Sequence, residues 1–386
     1  MSAWLRPIRT GWVVRDEVPG PDVDEFDEPE RVITALAAPG AADDTLLAVQ
    51  HPHRTPAART AGLDVRTALP LARVALDRLR ALHYRRVSEV VAPYRIDGPD
   101  GSALGVLCLV DPAAVGADGA SWVRHTEEVY PEVVAERAAV LSGLGCATSA
   151  AMLIPASGGA ELTGLVEDVC AGLGAPTSST VDSGGRRHAL WLLGPGQPQD
   201  ELLAALRQRP LLVADGNHRV AAATAQRSLL ALVTGGPGLR IGPIHRVLRG
   251  TGLGPAELEE RWRSAGLDVR RGGAAQPPAA PGEVVVVAGE AVLTVRLPAW
   301  QPGPSIDHGV VERVLVQQAL GVDPDGPSLR PLFAGRTPPA DADAVLLLAP
   351  VPLADLLAIH AAGRRMPRKA TYFTPKPRSG LLLADL

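Results

Sequence analysis

LLVADGNHRVAAATAQR, residues 211–227, is the stretch on which the reading of this chain turns. Residues 211–214 are an apolar run that predicts a short buried strand. Residues 220–226 predict the opening turns of an alanine-rich helix, whose small side chains permit close packing. Between them sit Asp215, Gly216, Asn217, His218 and Arg219. A helix N-terminus carries N–H groups without intrahelical partners and a partial positive charge, so phosphate is a natural guest. His218 and Arg219 add donors at the same place, and Asp215 can orient one of them or hold a metal ion. Read locally, the same five residues are also an N-cap aspartate, a turn glycine and an ordinary surface arginine. The remainder of the chain has to decide.

At 386 residues there is room for two or three domains with substantial cores. Aromatic residues make up only 3% against 46% hydrophobic, so Ala, Val and Leu must fill the interior. The net charge of −4 is spread along the chain, which argues against a broad nucleic-acid surface but not against a local anion pocket. Cys108, Cys146 and Cys170 have no CxxC spacing and apolar neighbours, as reduced buried thiols do. His51 and His53 in HPHRTP have no third ligand at a convincing spacing, so a structural zinc site is rejected. Ser142 and Ser157 lack a nucleophile context. No GxGxxG or GxxxxGK[ST] motif marks a dinucleotide fold or a P-loop. The N-terminus has no signal-peptide core and no run reaches 18 apolar residues, so a cytoplasmic protein with no membrane partner is expected.

Along the chain, Val13 and Val14 predict a strand, and the acidic, proline-rich residues 19–30 a surface loop leading to a helix near 31–38. Residues 67–86 are the clearest amphipathic helix, with Ala72, Leu76, Leu79 and either Leu82 or His83 on one face. Strands are expected at 104–110, 151–155 and 188–194, and a helix from Pro131. In GLRIGPIHRVL, 238–248, a strand enters a loop, placing His245 and Arg246 at an element edge. Beyond 251 come a helix in PAELEERWRSA, a hairpin turning at Gly289, a helix over 307–320, and a final strand–helix–strand succession. Mixed strands and intervening helices predict an α+β or mixed α/β fold. The expected division is an N-terminal α/β region at 1–100, a core at 101–250 carrying DGNHR, and a C-terminal α/β region at 251–386.

Two further clusters can do chemistry. His125, Glu127 and Glu128 precede the helix at Pro131. A carboxylate there can take a hydroxyl proton or hold Mg²⁺ beside phosphate, and the bland alternative is an acidic helix entry. Lys369, Tyr372, Lys376, Arg378 and Ser379 gather in MPRKATYFTPKPRSG, residues 366–380, which can fold over a pocket or form a basic surface loop. His308 opens a helix and reads as a cap or a packed histidine.

These clusters occur in an order that resembles the bacterial and archaeal family called domain of unknown function 1015. The pieces are RPI at 6–8, RHTEE at 124–128, DGNHR at 215–219, IHR at 244–246, DHGVVERVL at 307–315 and the segment 366–380. Three departures stand out. Asn217 occupies the place of the family's first histidine in DGHHR, the HE pair is spread over His125-Thr126-Glu127, and the early VVAPPYD-like stretch is missing. DGNHRVAAA is also similar to the phosphate-binding loop of the ParB and sulfiredoxin superfamily, which includes nucleotidases, an ATP-using reductase and kinases of free serine. That resemblance implies a ParB/sulfiredoxin-like core, with Gly216 admitting phosphate closely and His218 and Arg219 binding it.

Together these readings favour a nucleotide-dependent small-molecule kinase or phosphotransferase. ATP or ADP would sit on residues 216–219, Lys369, Tyr372 and Lys376, with Mg²⁺ on Asp215 or Glu128. His125, Glu127, Glu128, Asp215 and His218 are the candidate catalytic groups, Glu127 accepting a hydroxyl proton from an acceptor such as serine. The alternatives are a regulatory protein that binds a nucleotide or another anionic metabolite without turnover, and a nucleotide hydrolase. Self-association into a homo-oligomer is left open.

Overall fold

The computed structural model describes residues 3–23, 26, 29–299 and 305–386; of the acidic stretch 19–30, residues 24, 25, 27 and 28 lie outside the described residues. It is a mixed α/β protein whose chain divides into two units. One holds residues 1–125, 129–240 and 374–386, the other 126–128 and 241–373.

The first unit is built on a nine-stranded mixed sheet. Along it lie Val123–Arg124, Leu211–Asp215, Ala151–Pro155, Leu229–Gly235, Gly101–Val110, Ala92–Gly98, Arg187–Leu190 and Ser178–Val181, with Leu5–Arg6 also pairing to Gly101–Val110. Its two most apolar strands, Gly101–Val110 and Leu229–Gly235, are neighbours in antiparallel register from Leu229↔Val110 to Gly235↔Leu104. Both are near-continuous hydrophobic runs, as a strand covered on both faces requires. Leu104, Val106, Cys108 and Val110 enter one core, while Ala103, Leu107 and Leu109 enter another. Gly105 is obligatory, because a Cβ there would lie 2.2 Å from the Val233 carbonyl oxygen. A second sheet of four short strands, Tyr84–Val90, Ile8–Val14, Leu382–Asp385 and Cys146–Ala147, ties both chain ends into this unit. The expected boundary at residue 100 falls in the turn between paired strands Ala92–Gly98 and Gly101–Val110, so residues 1–100 share a sheet with the region that follows.

The helix expected over 67–86 runs from Leu69 to His83, after which Tyr84 opens a strand. Ala72, Leu76 and Leu79 are buried as the spacing indicates, whereas Leu82 is 56% exposed. The helix Pro131–Leu144 begins on its proline and stops at Gly145 in the left-handed conformation, which glycine adopts freely.

The second unit carries a six-stranded antiparallel sheet in the order Val269–Arg271, Ala291–Arg296, Glu283–Ala288, Ala342–Leu347, Ile244–Arg249 and Leu329–Phe333. The hairpin turning at Gly289 is as expected. His245 and Arg246 are not at an element edge. Ile244–Arg249 pairs on both sides and buries both side chains. Trp262 on the helix Pro255–Ser264 is fully buried and donates to the Leu315 carbonyl at 3.0 Å. The helix expected over 307–320 is α-helical at Asp307–Val310, π-helical over Val311–Gln318 and α-helical again at 319–320. Among the described residues no helix is long and apolar enough to cross a membrane.

Candidate functional site

The DGNHR loop leaves the sheet of the first unit through an irregularity. Leu211–Asp215 pairs with Ala151–Pro155 until Val213↔Leu153, then slips so that Asp215 faces Met152. A bulge bends a strand and redirects the side chain next to it. Gly216 follows at φ +92°, where a Cβ would lie 2.8 Å from Arg219 Nε and 3.2 Å from Ala151 Cβ. The helix beyond is Asn217–Ala222, only six residues, followed by turns rather than the longer helix expected through 226. Fewer than two turns give a weak dipole. What favours an anion here is therefore its side chains.

Those side chains converge on Asp215. Arg219, one helical turn on, pairs with its Oδ2, and Lys376 Nζ lies 2.6 Å from Oδ1. Asp215 and Lys376 are 20% and 27% exposed, enough for a ligand to reach them and enough burial to strengthen their attraction. His125 Nδ1 is 3.1 Å from Asn217 Oδ1; the oxygen can only accept, so the ring proton is on Nδ1. The Tyr130 backbone N–H donates to His218 Nε2 at 3.0 Å, and the two rings stack at 5.8 Å. His125, Asp215, Gly216, Asn217, His218, Arg219 and Lys376 thus form one constellation in one unit.

Lys376 carries a signal that the motif comparison passed over. Among 38 lysines and arginines only Lys369 and Lys376 are lysines, and both lie within 366–380. Arginine cannot replace a compact, titratable ammonium, so these two positions of an otherwise arginine-only chain mark a different chemical requirement.

Glu127, Glu128, Lys369 and Tyr372 belong to the second unit. The Glu127 carboxylate accepts the backbone N–H groups of Lys369, Ala370 and Thr371 at 3.0–3.1 Å and the Thr371 hydroxyl at 2.8 Å. Lys369 takes a φ of +53° there, which turns three successive amides toward one anion. Glu127 is thereby fully engaged in folding the chain rather than poised as a base. Glu128 is 63% exposed beside Arg368. The Tyr372 and Phe333 ring centroids lie 5.3 Å apart, and Lys369 Nζ is 6.0 Å from the same Phe333 ring. His308 is fully buried, its Nε2 donating to the Ile244 carbonyl at 2.7 Å, and burial holds it down to about 3.

Mg²⁺ beside phosphate needs one or two available carboxylates. Asp215 is shared by two cations, Glu128 stands by Arg368, and among the described residues no three His, Cys, Asp or Glu side chains gather as a metal site. These residues do not fit a resident Mg²⁺.

The fold and this constellation define a mixed α/β protein with a carboxylate bridging two cations at a strand-to-helix turn. Its sequence matches the family described as "Protein of unknown function (DUF1015)" over residues 88–301, more than half of the chain, and the chain belongs to that family. No curated protein matches. Among solved structures, a conserved hypothetical protein from Pyrococcus furiosus is 14% identical, covering 72% of this chain and 94% of its own, at a TM-score of 0.39. A free serine kinase in complex with AMP is 14% identical, with 71% and 92% covered and a TM-score of 0.39. SbnI with a C-terminal truncation, from Staphylococcus aureus, is 14% identical, with 72% and 87% covered and a TM-score of 0.41. At these scores the likeness assigns no ligand to this chain.

Proposed function

We propose that the first unit binds the phosphates of a nucleotide, ATP or ADP, at Arg219 and Lys376 and transfers a phosphoryl group to a small hydroxyl-bearing acceptor. The observation that carries this reading is the Asp215 carboxylate held between two cations. Both cations are aimed at the position that the Asp215 carboxylate occupies. Phosphate, with more oxygens and more charge, competes for the same donors. Phosphoryl transfer depends chiefly on positioning and on stabilising charge over those oxygens, which fixed cations supply. With its proton on Nδ1 toward Asn217, His125 carries its basic lone pair on Nε2. In the transfer the acceptor oxygen forms a bond to phosphorus, the bridging phosphate bond breaks, and the hydroxyl proton passes to His125. The resemblance of DGNHR to the ParB and sulfiredoxin loop supports a core of that kind and makes free serine the first acceptor to try.

A second reading, nucleotide binding without turnover, is favoured by one observation. Glu127, the carboxylate expected as the base, is consumed by four hydrogen bonds within the second unit.

Calorimetry of the purified chain with ATP, ADP and AMP tests the common part. Saturable binding weakened about 10- to 100-fold by Arg219→Ala or Lys376→Ala is expected, as for loss of a charge-assisted hydrogen bond. Absence of binding to all three sinks both readings. Given binding, product formation with serine present separates a kinase from a binder, and phosphate release into water identifies a hydrolase.

A further inference from the structure

Lys376 sits at the middle of a five-residue bridge whose two flanks are held by one continuous chain of polar groups. On one flank, the Thr374 hydroxyl donates to the Asp100 carbonyl at 2.9 Å. On the other, the Arg378 backbone N–H donates to the Tyr94 hydroxyl at 3.0 Å. Tyr94 has a single proton to give, and the His188 Nδ1 atom lies 2.8 Å away to take it. His188 must then carry its own proton on Nε2, which points to Asp182 Oδ2 at 3.1 Å. Asp182 accepts the Arg186 amide at 2.8 Å and the Arg186 guanidinium at 3.2 Å. Arg186 returns the chain to its start, meeting both carboxylate oxygens of Asp100 at 2.9–3.1 Å.

The circuit is therefore closed: Thr374, Asp100, Arg186, Asp182, His188, Tyr94, Arg378. Two hairpin turns supply it, one around Asp100 between Ala92–Gly98 and Gly101–Val110, the other spanning Asp182 to Arg186 ahead of Arg187–Leu190. Tyr94 and His188 are each 1% exposed. Each proton in it has one assigned place, and burial pushes His188 below its ordinary value, which keeps the ring in the neutral form that the sequence of donors requires.

We infer that Tyr94, His188, Asp182, Arg186 and Asp100 are positioning residues for Lys376, fixing its ammonium against Asp215 so that the cation is in place before a ligand arrives. A flexible four-carbon side chain on a loop would otherwise sample many positions, and ordering it at the moment of binding would weaken the ligand's hold. The purpose of the clamp rests on the phosphate reading above; its existence does not.

The composition makes the test direct, because Lys369 and Lys376 are the only ε-amines. The full-length chain is treated, without ligand, with limiting acetic anhydride, and acetylation at each lysine is read by peptide mass spectrometry, with Lys369 as internal reference. Tyr94→Phe is expected to raise the Lys376 to Lys369 ratio about three- to tenfold, the scale of one buried hydrogen bond. Thr374→Val, which opens the opposite flank, is expected to do the same and serves if Tyr94→Phe does not fold. Adding Tyr94→Phe to Asp215→Asn should raise the ratio no further than Asp215→Asn alone, since both act through the same ion pair. An unchanged ratio in folded Tyr94→Phe or Thr374→Val, or full additivity with Asp215→Asn, overturns the inference. Because no nucleotide is present, a failed clamp leaves the phosphate reading untouched, and a failed calorimetric titration leaves the clamp standing.

Discussion

Lys376 and Glu127 each make a prediction of their own. Lys376 meets Asp215 as a point charge at 2.6 Å, whereas arginine would present a planar fork several atoms wide. Lys376→Arg keeps the charge and is nonetheless expected to weaken nucleotide binding about tenfold, most of the effect of Lys376→Ala; near-normal titration by calorimetry would show that charge alone suffices. Glu127 makes a stability prediction instead. Its buried carboxylate accepts three amides and a hydroxyl, and Glu127→Gln replaces one acceptor oxygen with a donor facing donors. A loss of about 2–4 kcal/mol in denaturant unfolding is expected, from weakened charge-assisted bonds and a misplaced amide. These roles were only partly legible in the sequence. DGNHR sets Asp215 close in sequence to His218 and Arg219, one of which it can orient, and Arg219 is the one it pairs with. Nothing local to Glu127 shows that its partners are 242–244 residues away.

At the scale of elements, strands with continuous apolar runs were readable, since burial on both faces leaves an unmistakable pattern. Gly101–Val110, Ala151–Pro155 and Leu211–Asp215 lie where the sequence puts them. Tyr84–Val90 did not stand out, because YRRVSEV continues the polar pattern of the preceding helix and only its pairing with Ile8–Val14 makes it a strand. The short helix Asn217–Ala222 is another miss. Alanine-rich sequence favours helix but cannot extend one where turns intervene before the next buried strand at Leu229. The bulge at Asp215 and the left-handed Gly216 are what join strand to helix. Gly216→Ala puts a β-carbon 2.8 Å from Arg219 Nε and into an unfavourable φ, so it is expected to lower stability by about 1–3 kcal/mol. It should also displace Arg219 and abolish nucleotide binding at protein concentrations where the fold persists. A Gly216→Ala chain that melts lower but titrates normally would detach Arg219 from the ligand.

Over the whole molecule, the aromatic-poor interior is filled by small aliphatic side chains, and several histidines are buried among them. In the unfolded chain an imidazole takes its proton near pH 6.5, whereas burial holds His51 in the first unit and His308 in the second down to about 3. Between those values the unfolded chain binds protons that the native one refuses, so stability rises with pH across the window. It is complete above about pH 6.5 and drains away as pH falls toward 3, by about 1.4 kcal/mol per pH unit for each such group. His188 and His245, also lowered by burial, act in the same direction. His308→Gln retains an amide donor for the Ile244 carbonyl but cannot titrate, so it separates the proton from the packing. Unfolding free energies measured by urea at pH 7.5, 6, 5 and 4 should therefore fall less steeply in His308→Gln than in the parent chain, by about one proton's worth of slope between pH 6 and 4. Parallel curves would mean that His308 keeps its proton affinity on folding, and the carboxylates of the second unit, Glu312 and Asp307, would not take its place as the source of acid sensitivity. Both of those are pushed up by burial, so their protonation in the native state would relieve rather than cause a loss of stability in acid. Parallel curves would therefore leave the buried imidazole of His245 as the group to substitute next.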